Sequence, residues 1–489
     1  MDDFDLMRPL TLQYPNTLTM KKILVLFTLF GIYFSSQCQI NFARTYGTAA
    51  DEYGQSLAKT SDGGFIIGTP YTGNKWGIIK TDEHGDTIWT RTYDFLGVNF
   101  SNLFIRKLHG IIETSDGNYV MIGCTETNRS FVMKVNTIGD TLWVKDSIGG
   151  TYRKIAEDSN GDLIIVGGIE SVNAVNFCCY PLIHKRDSQG ILIQNINIFS
   201  PSFLGSRLQE IYIDSNGDYL LGGDTPNPYI PNPRLIKLSP NGTIIWANIF
   251  TGFEMSNVQS ILQTPDNGYL FVGNYPQLEN DSTVLFKTNF LGELEFIKKY
   301  KVNSNWIALN IKPTADGYYI SGDELYDEWV GGPTKIHLMK IDLNYNLLWQ
   351  SEYALGNNNI FAQMESTVDG GCAIVGSTDG LGNGGFDVFF IKTDANGQAL
   401  ETENLSFSNF INIYPNPVRD NAFINSSAHL NNATLLVFDN TGHLVKEINH
   451  IYGKSINFSR GNLCAGCYFA KIYESNKCFS TVKILVSDK

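Results

Sequence analysis

The strongest constraint on this chain is a repeat of about 52 residues that runs through its middle. A lysine ends an apolar run seven times, and successive lysines are 50 to 54 residues apart. The seven positions are Lys80, Lys134, Lys185, Lys237, Lys287, Lys340 and Lys392. A repeat of this length indicates copies of one supersecondary unit packed side by side, so the content of a single unit decides the fold.

Each unit contains two turns that separate short apolar segments, and the second turn has a glycine in six of the seven units, with Tyr345 as the exception. The first turn is of the Asp-Gly or Asn-Gly type, as at Asp62-Gly63, and the second follows the lysine, as from Asp82 to Gly85. An aromatic residue such as Trp89 stands four residues after this position of the second turn in five units. Asp-Gly and Asn-Gly supply the positive φ of tight hairpin turns.

Four short strands per unit, repeated seven times, predict an all-β fold with a seven-bladed β-propeller over residues 39–405. An open β-solenoid is the alternative architecture, but its coils are shorter than these units. The start, Ile40 to Gly47, resembles the fourth strand that begins at Trp89, whereas the seventh repeat ends in a degenerate fourth strand. We therefore expect the first strand to complete the last blade, which removes open sheet edges.

Charge and hydrophobicity restrict the partners. Lys and Arg number 36 against 49 Asp and Glu, so the net charge is −13, which argues against a nucleic-acid partner because phosphate binding needs a basic surface. At 43% hydrophobic residues, a chain this long can bury a large core. Beyond the amino-terminal segment there is no second apolar run of 18 or more residues, so we predict no membrane span.

The amino end has the three parts of a secretory signal peptide. Met20-Lys21-Lys22 is basic, an apolar run follows from Ile23 to Phe34, and small residues lead to Cys38. We predict a signal peptide over residues 20–38 and interpret residues 1–19 as a misassigned amino-terminal extension. The chain is then expected to be exported to the periplasm.

Loop lengths predict which face of the propeller binds a ligand. In an up-and-down blade the two glycine turns share one face, here named the tight-turn face. The loops between second and third strands and the links between blades share the opposite face, here named the long-loop face, and these loops vary in length. Aromatic residues lie among acids and amides there, a mixture that suits sugars or peptides. The ligand-binding candidates are Trp76, Tyr180, Tyr229, Tyr326 and Trp329.

Two alternatives concern these residues and the repeated lysine. The aromatic residues could instead fold back and cap the blades. The lysine is expected to be structural, because a catalytic residue is needed once rather than seven times.

Searches for catalytic motifs find none of the zinc-protease, serine-hydrolase or phosphate-loop patterns. We predict no catalytic residue, no cofactor and no metal. The segments that begin at Asp158 and Asp214 hint at calcium loops, but both lie on the repeated hairpin turn and lack a distal glutamate. A secreted enzyme acting on polysaccharide or peptide is the alternative function, and paired acids at the propeller axis on the long-loop face would favour it.

After Leu405 the repeat stops, and alternating strands predict a small β-sandwich over residues 406–489. A Tyr-Pro-Asn-Pro segment opens it, an Asp-x-x-Gly turn follows a long strand, and a Gly-x-Tyr strand precedes a basic-flanked last strand. The residues that carry these features are Tyr414, Pro415, Asn416, Pro417, Asp439, Gly442, Gly466 and Tyr468. In this order they resemble the type A sorting domain of the type IX secretion system of Bacteroidota.

That resemblance implies a partner and a destination. It implies recognition by the type IX secretion machinery, passage across the outer membrane, and a place at the outer cell surface or in the medium. The propeller repeats are similar to the Asp-Gly-Gly repeats common in such cargo. We therefore predict an exported propeller that binds a ligand, either a glycan or a surface protein.

Overall fold

Strands and turns account for the secondary structure of the part of the chain that the structure describes. The computed structural model describes residues 41–48, 50–71, 75–94, 107–124, 129–148, 150–171, 178–198, 207–225, 232–252, 257–273, 282–301, 306–324, 334–380, 382, 385–399, 411–474 and 477–487. Across these ranges no helix is long and apolar enough to cross a membrane. The all-β prediction is confirmed.

Seven antiparallel sheets of four strands form the blades. Blade 1 is β2 (Ser56–Lys59), β3 (Phe65–Tyr71), β4 (Lys75–Thr81) and β5 (Thr87–Asp94); blade 2 is β6 (Lys107–Glu113), β7 (Tyr119–Cys124), β8 (Arg129–Val135) and β9 (Thr141–Ile148); blade 3 is β10 (Thr151–Glu157), β11 (Leu163–Ser171), β12 (Cys178–Arg186) and β13 (Leu192–Asn195). Blade 4 is β14 (Leu208–Ile213), β15 (Tyr219–Asp224), β16 (Pro233–Leu238) and β17 (Ile244–Ile249); blade 5 is β18 (Ser260–Gln263), β19 (Tyr269–Val272), β20 (Ser282–Thr288) and β21 (Leu294–Lys301). Blade 6 is β22 (Trp306–Pro313), β23 (Gly317–Glu324), β24 (Ile336–Asp342) and β25 (Leu347–Tyr353); blade 7 is β26 (Asn359–Ser366), β27 (Cys372–Thr378), β28 (Asp387–Thr393) and, from the amino end, β1 (Phe42–Tyr46).

The ring closes as the sequence predicts. Strand β1 pairs with β28, with Phe42 opposite Lys392, so the first strand supplies the fourth strand of blade 7. The innermost strand of each blade contacts that of the next, and β26 contacts β2. The seven-bladed propeller is therefore confirmed, and the solenoid alternative is wrong because a solenoid would leave its two ends apart.

The core lies in the seams between neighbouring blades. Each of the seven seams holds one cluster of buried apolar residues; that between blades 1 and 2, for example, joins Ile66 and Ile78 to Met121 and Met133. Both faces of every blade are consequently apolar, which explains why the middle strands are apolar runs without polar alternation.

The carboxyl-terminal domain consists of β29 (Ile411–Tyr414), β30 (Asn421–Asp439), β31 (Leu444–Ser459), β32 (Gly466–Glu474) and β33 (Lys477–Val486). The first half of β30 pairs with β29 and its second half pairs with β32, and the register of β30 against β31 shifts between these halves. The long strand thus passes from one layer of a small sandwich to the other. Residues from all five strands, including Ile424, Phe458 and Ile484, bury one apolar core.

Candidate functional site

The repeated lysine is buried in every blade and forms an ion pair there. Its ammonium group contacts an aspartate of the same blade. This aspartate either belongs to the Asp-Gly or Asn-Gly turn or stands just before it. Distances range from 2.6 Å for Lys134–Asp116 to 2.9 Å for Lys80–Asp62, and Lys392–Asp369 is closer still. In blades 3 and 4 two carboxylates share each ammonium: Asp158 and Asp162 contact Lys185 at 2.9 and 3.1 Å. Burial opposes the charge of Lys185, but these bonds outweigh it and raise its pKa.

These contacts give the tight-turn face its structural role. The aspartates of the two calcium-like segments contact the ammonium groups of Lys185 and Lys237 instead. In the described ranges, no group of three His, Cys, Asp or Glu residues is arranged to hold a metal. The lysine is structural in each blade, as its repetition indicates.

The aromatic residue of the fourth strand locks neighbouring blades together. A Cβ on Gly190 would lie 2.7 Å from the Trp143 ring of the preceding blade, and a Cβ on Gly397 would lie 2.6 Å from Trp349. Where Tyr345 replaces the glycine, the smaller Phe296 replaces tryptophan, and their ring centroids are 5.1 Å apart. This contact packs each of these blades against the next.

The structure places only some of the predicted ligand-binding residues on the long-loop face. Trp76 is a correction: it lies in strand β4 rather than on a loop, is 1% exposed, and packs against Phe131 at a centroid distance of 5.0 Å. Burial in the seam between blades 1 and 2 leaves no ring face for a ligand. Tyr180 lies in β12 and is 36% exposed. Tyr229, Tyr326 and Trp329 lie outside the described residues.

Blades 4 and 6 depart from the repeat at the same two positions of the long-loop face. Three residues before the repeated lysine, the chain has a buried glycine or apolar residue in five blades, but Arg234 in blade 4 and His337 in blade 6. The residue just before each of these pairs with an aspartate: Pro233 with Asp224 in blade 4, and Ile336 with Asp323 in blade 6. Of the blades in which the structure describes this pairing, only these two have an aspartate there. Sequence reasoning missed the pattern, although aligning the repeats on their lysines reveals it.

In blade 6, Trp306, Asp323, Glu324, His337 and Glu352 form a group that we name the blade-6 cluster. Trp306 stacks on His337, with ring centroids 5.3 Å apart and planes at 24°. The imidazole Nε2 lies 3.3 Å from Glu324 Oε1, and Nδ1 lies 3.9 Å from Glu352 Oε1. Burial lowers the pKa of His337, and the two carboxylates oppose that effect.

Asp323 is the most strongly perturbed carboxyl of this cluster. Burial raises its pKa to about 7, although the Phe361 N–H of blade 7 donates a hydrogen bond of 3.0 Å to its Oδ2. A carboxyl group that exchanges its proton near neutrality differs from the tight-turn aspartates, whose pKa values the lysine partners hold low.

The charges of Arg153 in blade 3 and of Arg207, which precedes blade 4, act on Asp224 in blade 4, and the charge of Asp224 acts on Arg234; we name these four residues the arginine cluster. The Arg207 N–H donates to Asp224 Oδ1 at 2.9 Å, and the Asp224 N–H donates to the Arg207 carbonyl at 3.3 Å. Burial raises the pKa of Asp224, whereas the charges of Arg207 and Arg153 act to lower it. Burial also lowers the pKa of Arg234, which the charge of Asp224 counteracts.

In the carboxyl-terminal domain, the predicted sorting residues hold turns and strand ends. Asn416 joins the Tyr-Pro-Asn-Pro segment to the last strand: its amide donates to the Lys483 carbonyl at 3.1 Å and its Oδ1 accepts from the Leu485 N–H at 2.7 Å. Asp439 Oδ1 accepts from the N–H groups of Thr441 and His443, both at 2.9 Å, in the turn that needs Gly442 at φ 87°.

The other sorting residues lie on strands or beside them. Tyr414 is in β29 opposite Phe423, followed by Pro415 and by Pro417, whose peptide bond with Asn416 is cis. Gly466 begins β32 opposite Val486, and the Tyr468 hydroxyl donates to the Cys464 carbonyl at 2.9 Å.

Comparison with known proteins identifies one domain and otherwise shows likeness of fold. Residues 412–487 match the family model of the secretion system C-terminal sorting domain. No curated protein matches the chain as a sequence relative.

Among solved structures, the chain is similar to the Dos1 propeller at 10% identity and a TM-score of 0.45, covering 72% of this chain and 95% of that one. The polysaccharide lyase Uly1 is similar at 10% identity and a TM-score of 0.45, and the match covers 74% of this chain and 94% of that one. YCF48 from Cyanidioschyzon merolae is similar at 10% identity and a TM-score of 0.42, and the match covers 72% of this chain and 98% of that one. The strand pairing establishes the propeller without these likenesses, which carry no argument about function. The match at residues 412–487 identifies a type IX secretion system sorting domain, so this propeller is cargo of that system, secreted to the cell surface or the extracellular space.

Proposed function

We propose that the exported propeller binds a ligand on its long-loop face, at blades 3 to 6. One observation carries the proposal: blades 4 and 6 place ionisable residues at two seam positions that are otherwise mostly apolar or glycine. Burying a charge or an imidazole in an apolar seam costs stability, so a fold requirement alone would favour the apolar residue of the other blades. Departures from a repeated scaffold at its loop-bearing face are typical of binding sites.

The chemistry of these positions suits a glycan or a surface protein. Tyr180 offers an exposed ring at the start of β12, and the blade-6 cluster offers carboxylates and an imidazole as hydrogen-bonding groups. The predicted residue Tyr229 follows Asp224 in the chain, and Tyr326 and Trp329 follow Asp323. The type IX secretion machinery exports the protein, and the propeller binds its ligand outside the cell.

A glycan array with the full-length secreted protein tests this proposal. We expect saturable binding that Tyr180→Ala or Glu324→Gln weakens at least tenfold. Val368→Ser is the matched control, because Val368 is 96% exposed on the tight-turn face, and it should bind as the parent does. Absence of saturable binding both to every glycan and to whole cells would contradict the proposal.

An enzyme acting on polysaccharide or peptide is the second candidate, and Asp323 favours it. A carboxyl group whose pKa is near neutrality suits general acid or base catalysis. Release of new reducing ends or of peptide fragments, abolished in Asp323→Asn but not in Val368→Ser, would support it. Binding without any turnover of the bound material would contradict it.

A further inference from the structure

The acidic groups of the blade-6 cluster outnumber the basic groups beside them. Asp323 and Glu324 stand at the end of β23, and Glu352 lies in β25 with a side chain that is 35% exposed, so the cluster reaches the surface. Lys335 donates a hydrogen bond of 2.6 Å to Glu352 Oε2. Burial lowers the pKa of His337 and favours its neutral form. Ionised Glu324 and Glu352 then exceed Lys335 by one negative charge, before Asp323 is counted.

The sequence adds acid rather than base directly after these residues. Asp327 and Glu328 follow Glu324 in the chain, and residues 325–334 contain no lysine or arginine. On the tight-turn face, by contrast, the repeated lysine of each blade contacts an aspartate, so the fold itself supplies a cation there. A ligand that carries a positive charge is therefore attracted to the long-loop face of blade 6.

Trp306 provides a second and independent observation. Its side chain is 5% exposed and stacks on His337, yet its Nε1–H has no hydrogen-bond acceptor among the described residues. Nε1 lies toward β23, since a Cβ on Gly322, the residue before Asp323, would be 2.6 Å from it. A buried N–H donor without an acceptor costs free energy. An oxygen atom of a ligand that reaches this donor would remove that cost.

We propose that the blade-6 cluster binds the ammonium group of an amino sugar; this rests on the proposed ligand-binding function and specifies its ligand class. The carboxylates accept hydrogen bonds from the ammonium group, and the indole N–H of Trp306 donates to a neighbouring hydroxyl oxygen of the sugar. A lysine of a protein partner suits the site less well, because its ammonium group ends a four-carbon stem that carries no acceptor oxygen.

The test compares charged and neutral forms of one sugar chain on the full-length secreted protein by titration calorimetry. The probes are a chitosan oligosaccharide, whose amino groups are free, the chitin oligosaccharide of the same length, whose amino groups are acetylated, and poly-lysine. At pH 6 the free amino groups are largely protonated and exposed glutamates are ionised. We expect the chitosan oligosaccharide to bind about tenfold more tightly than the chitin oligosaccharide, the effect of a charged hydrogen bond. Its affinity should fall as salt rises.

Two variants with opposite expected effects locate the site. Glu352→Gln removes a carboxylate and should weaken binding of the chitosan oligosaccharide by about tenfold or more. Lys335→Gln removes the cation that competes for Glu352 and should strengthen binding by about threefold. Glu83→Gln makes the same acid-to-amide change on the tight-turn face of blade 1, where the side chain is 59% exposed, and should bind as the parent does. Thermal unfolding of each variant verifies that the fold is intact.

Any of three results would overturn the inference. Equal affinity for the chitosan and chitin oligosaccharides, or no binding of either, would reject recognition of the ammonium group while leaving ligand binding by the propeller in place. Poly-lysine binding as tightly as the chitosan oligosaccharide would reject a sugar ligand. Weaker binding in Lys335→Gln, or equal loss in Glu83→Gln and Glu352→Gln, would reject this location.

Discussion

The two faces of the propeller use acidic and basic residues in different ways. On the tight-turn face, acids and bases pair within each blade, and the arrangement recurs seven times. On the long-loop face, ionisable groups occur in particular blades, and Asp323 and Asp224 have raised pKa values rather than lowered ones. Repetition marks residues that the fold needs in every blade, whereas a single departure marks residues that only one site needs.

The largest effect is expected from breaking a fully buried pair on the tight-turn face. Lys237→Met leaves Asp214, whose side chain is fully buried, without its ammonium partner. We expect a loss of about 3–5 kcal/mol in the free energy of unfolding, measured by denaturant titration. Lys80→Met is the matched variant: the Asp62 side chain is 55% exposed, so water solvates it and the loss should be about 1 kcal/mol. Equal losses in the two variants would contradict this account.

The next largest effect concerns the aromatic lock between blades. Gly190→Ala places a methyl group 2.7 Å from the Trp143 ring at φ 74°, and we expect a loss of about 2–3 kcal/mol. Gly117→Ala has a similar φ of 77° with nothing within 4 Å, so about 1 kcal/mol should be lost through the backbone alone. If Gly117→Ala costs as much, the ring contact does not stabilise the seam.

The two faces should also respond to pH in opposite directions. The lowered pKa of Asp214 contributes stability above its ordinary value of 3.8, and that stability is lost as the pH falls. The pKa of Asp323 is raised from 3.8 to about 7, so ionisation is resisted in the fold and stability falls as pH rises between these values. Asp323→Asn should remove this fall, on the order of 4 kcal/mol. Melting temperatures of variant and parent that stay parallel from pH 4 to pH 8 would contradict the assignment.

The smallest effect on stability should accompany a clear effect on binding. Tyr180→Ala removes an exposed ring and should change the free energy of unfolding by less than about 0.5 kcal/mol. Ligand affinity should nevertheless fall, which calorimetry measures on the same sample. A variant that loses stability and not affinity would place Tyr180 with the structural residues.

Much of the fold could be predicted because its signals are local. The lysine spacing gave seven units, the glycine turns gave four strands in each, and the amino-terminal segment was recognised as the missing strand, which the pairing of Phe42 with Lys392 confirms. The sorting domain was recognised from short motifs whose turn chemistry is also local, as at Asp439. The predicted signal peptide lies outside the described residues and stays a prediction.

The candidate site could be predicted only in part, because exposure depends on the neighbouring blade. Trp76 follows a loop in the sequence, yet strand β4 begins one residue earlier and turns its ring toward Phe131 of blade 2. His337 is unremarkable in sequence until the repeats are aligned, and its contacts with Trp306 and Glu324 come from two other strands.

By itself, the sequence determined the number of blades, their strand content, the closing strand and the route of export. Each of these depends on residues within one repeat or one short motif. Only the tertiary structure decided which charged residues share a seam. Arg153 and Arg207 are separated by 54 positions and act on the same carboxylate. The distance of each arginine from that carboxylate depends on the angle between neighbouring blades. Strand twist and the packing of all seven seams together set this angle.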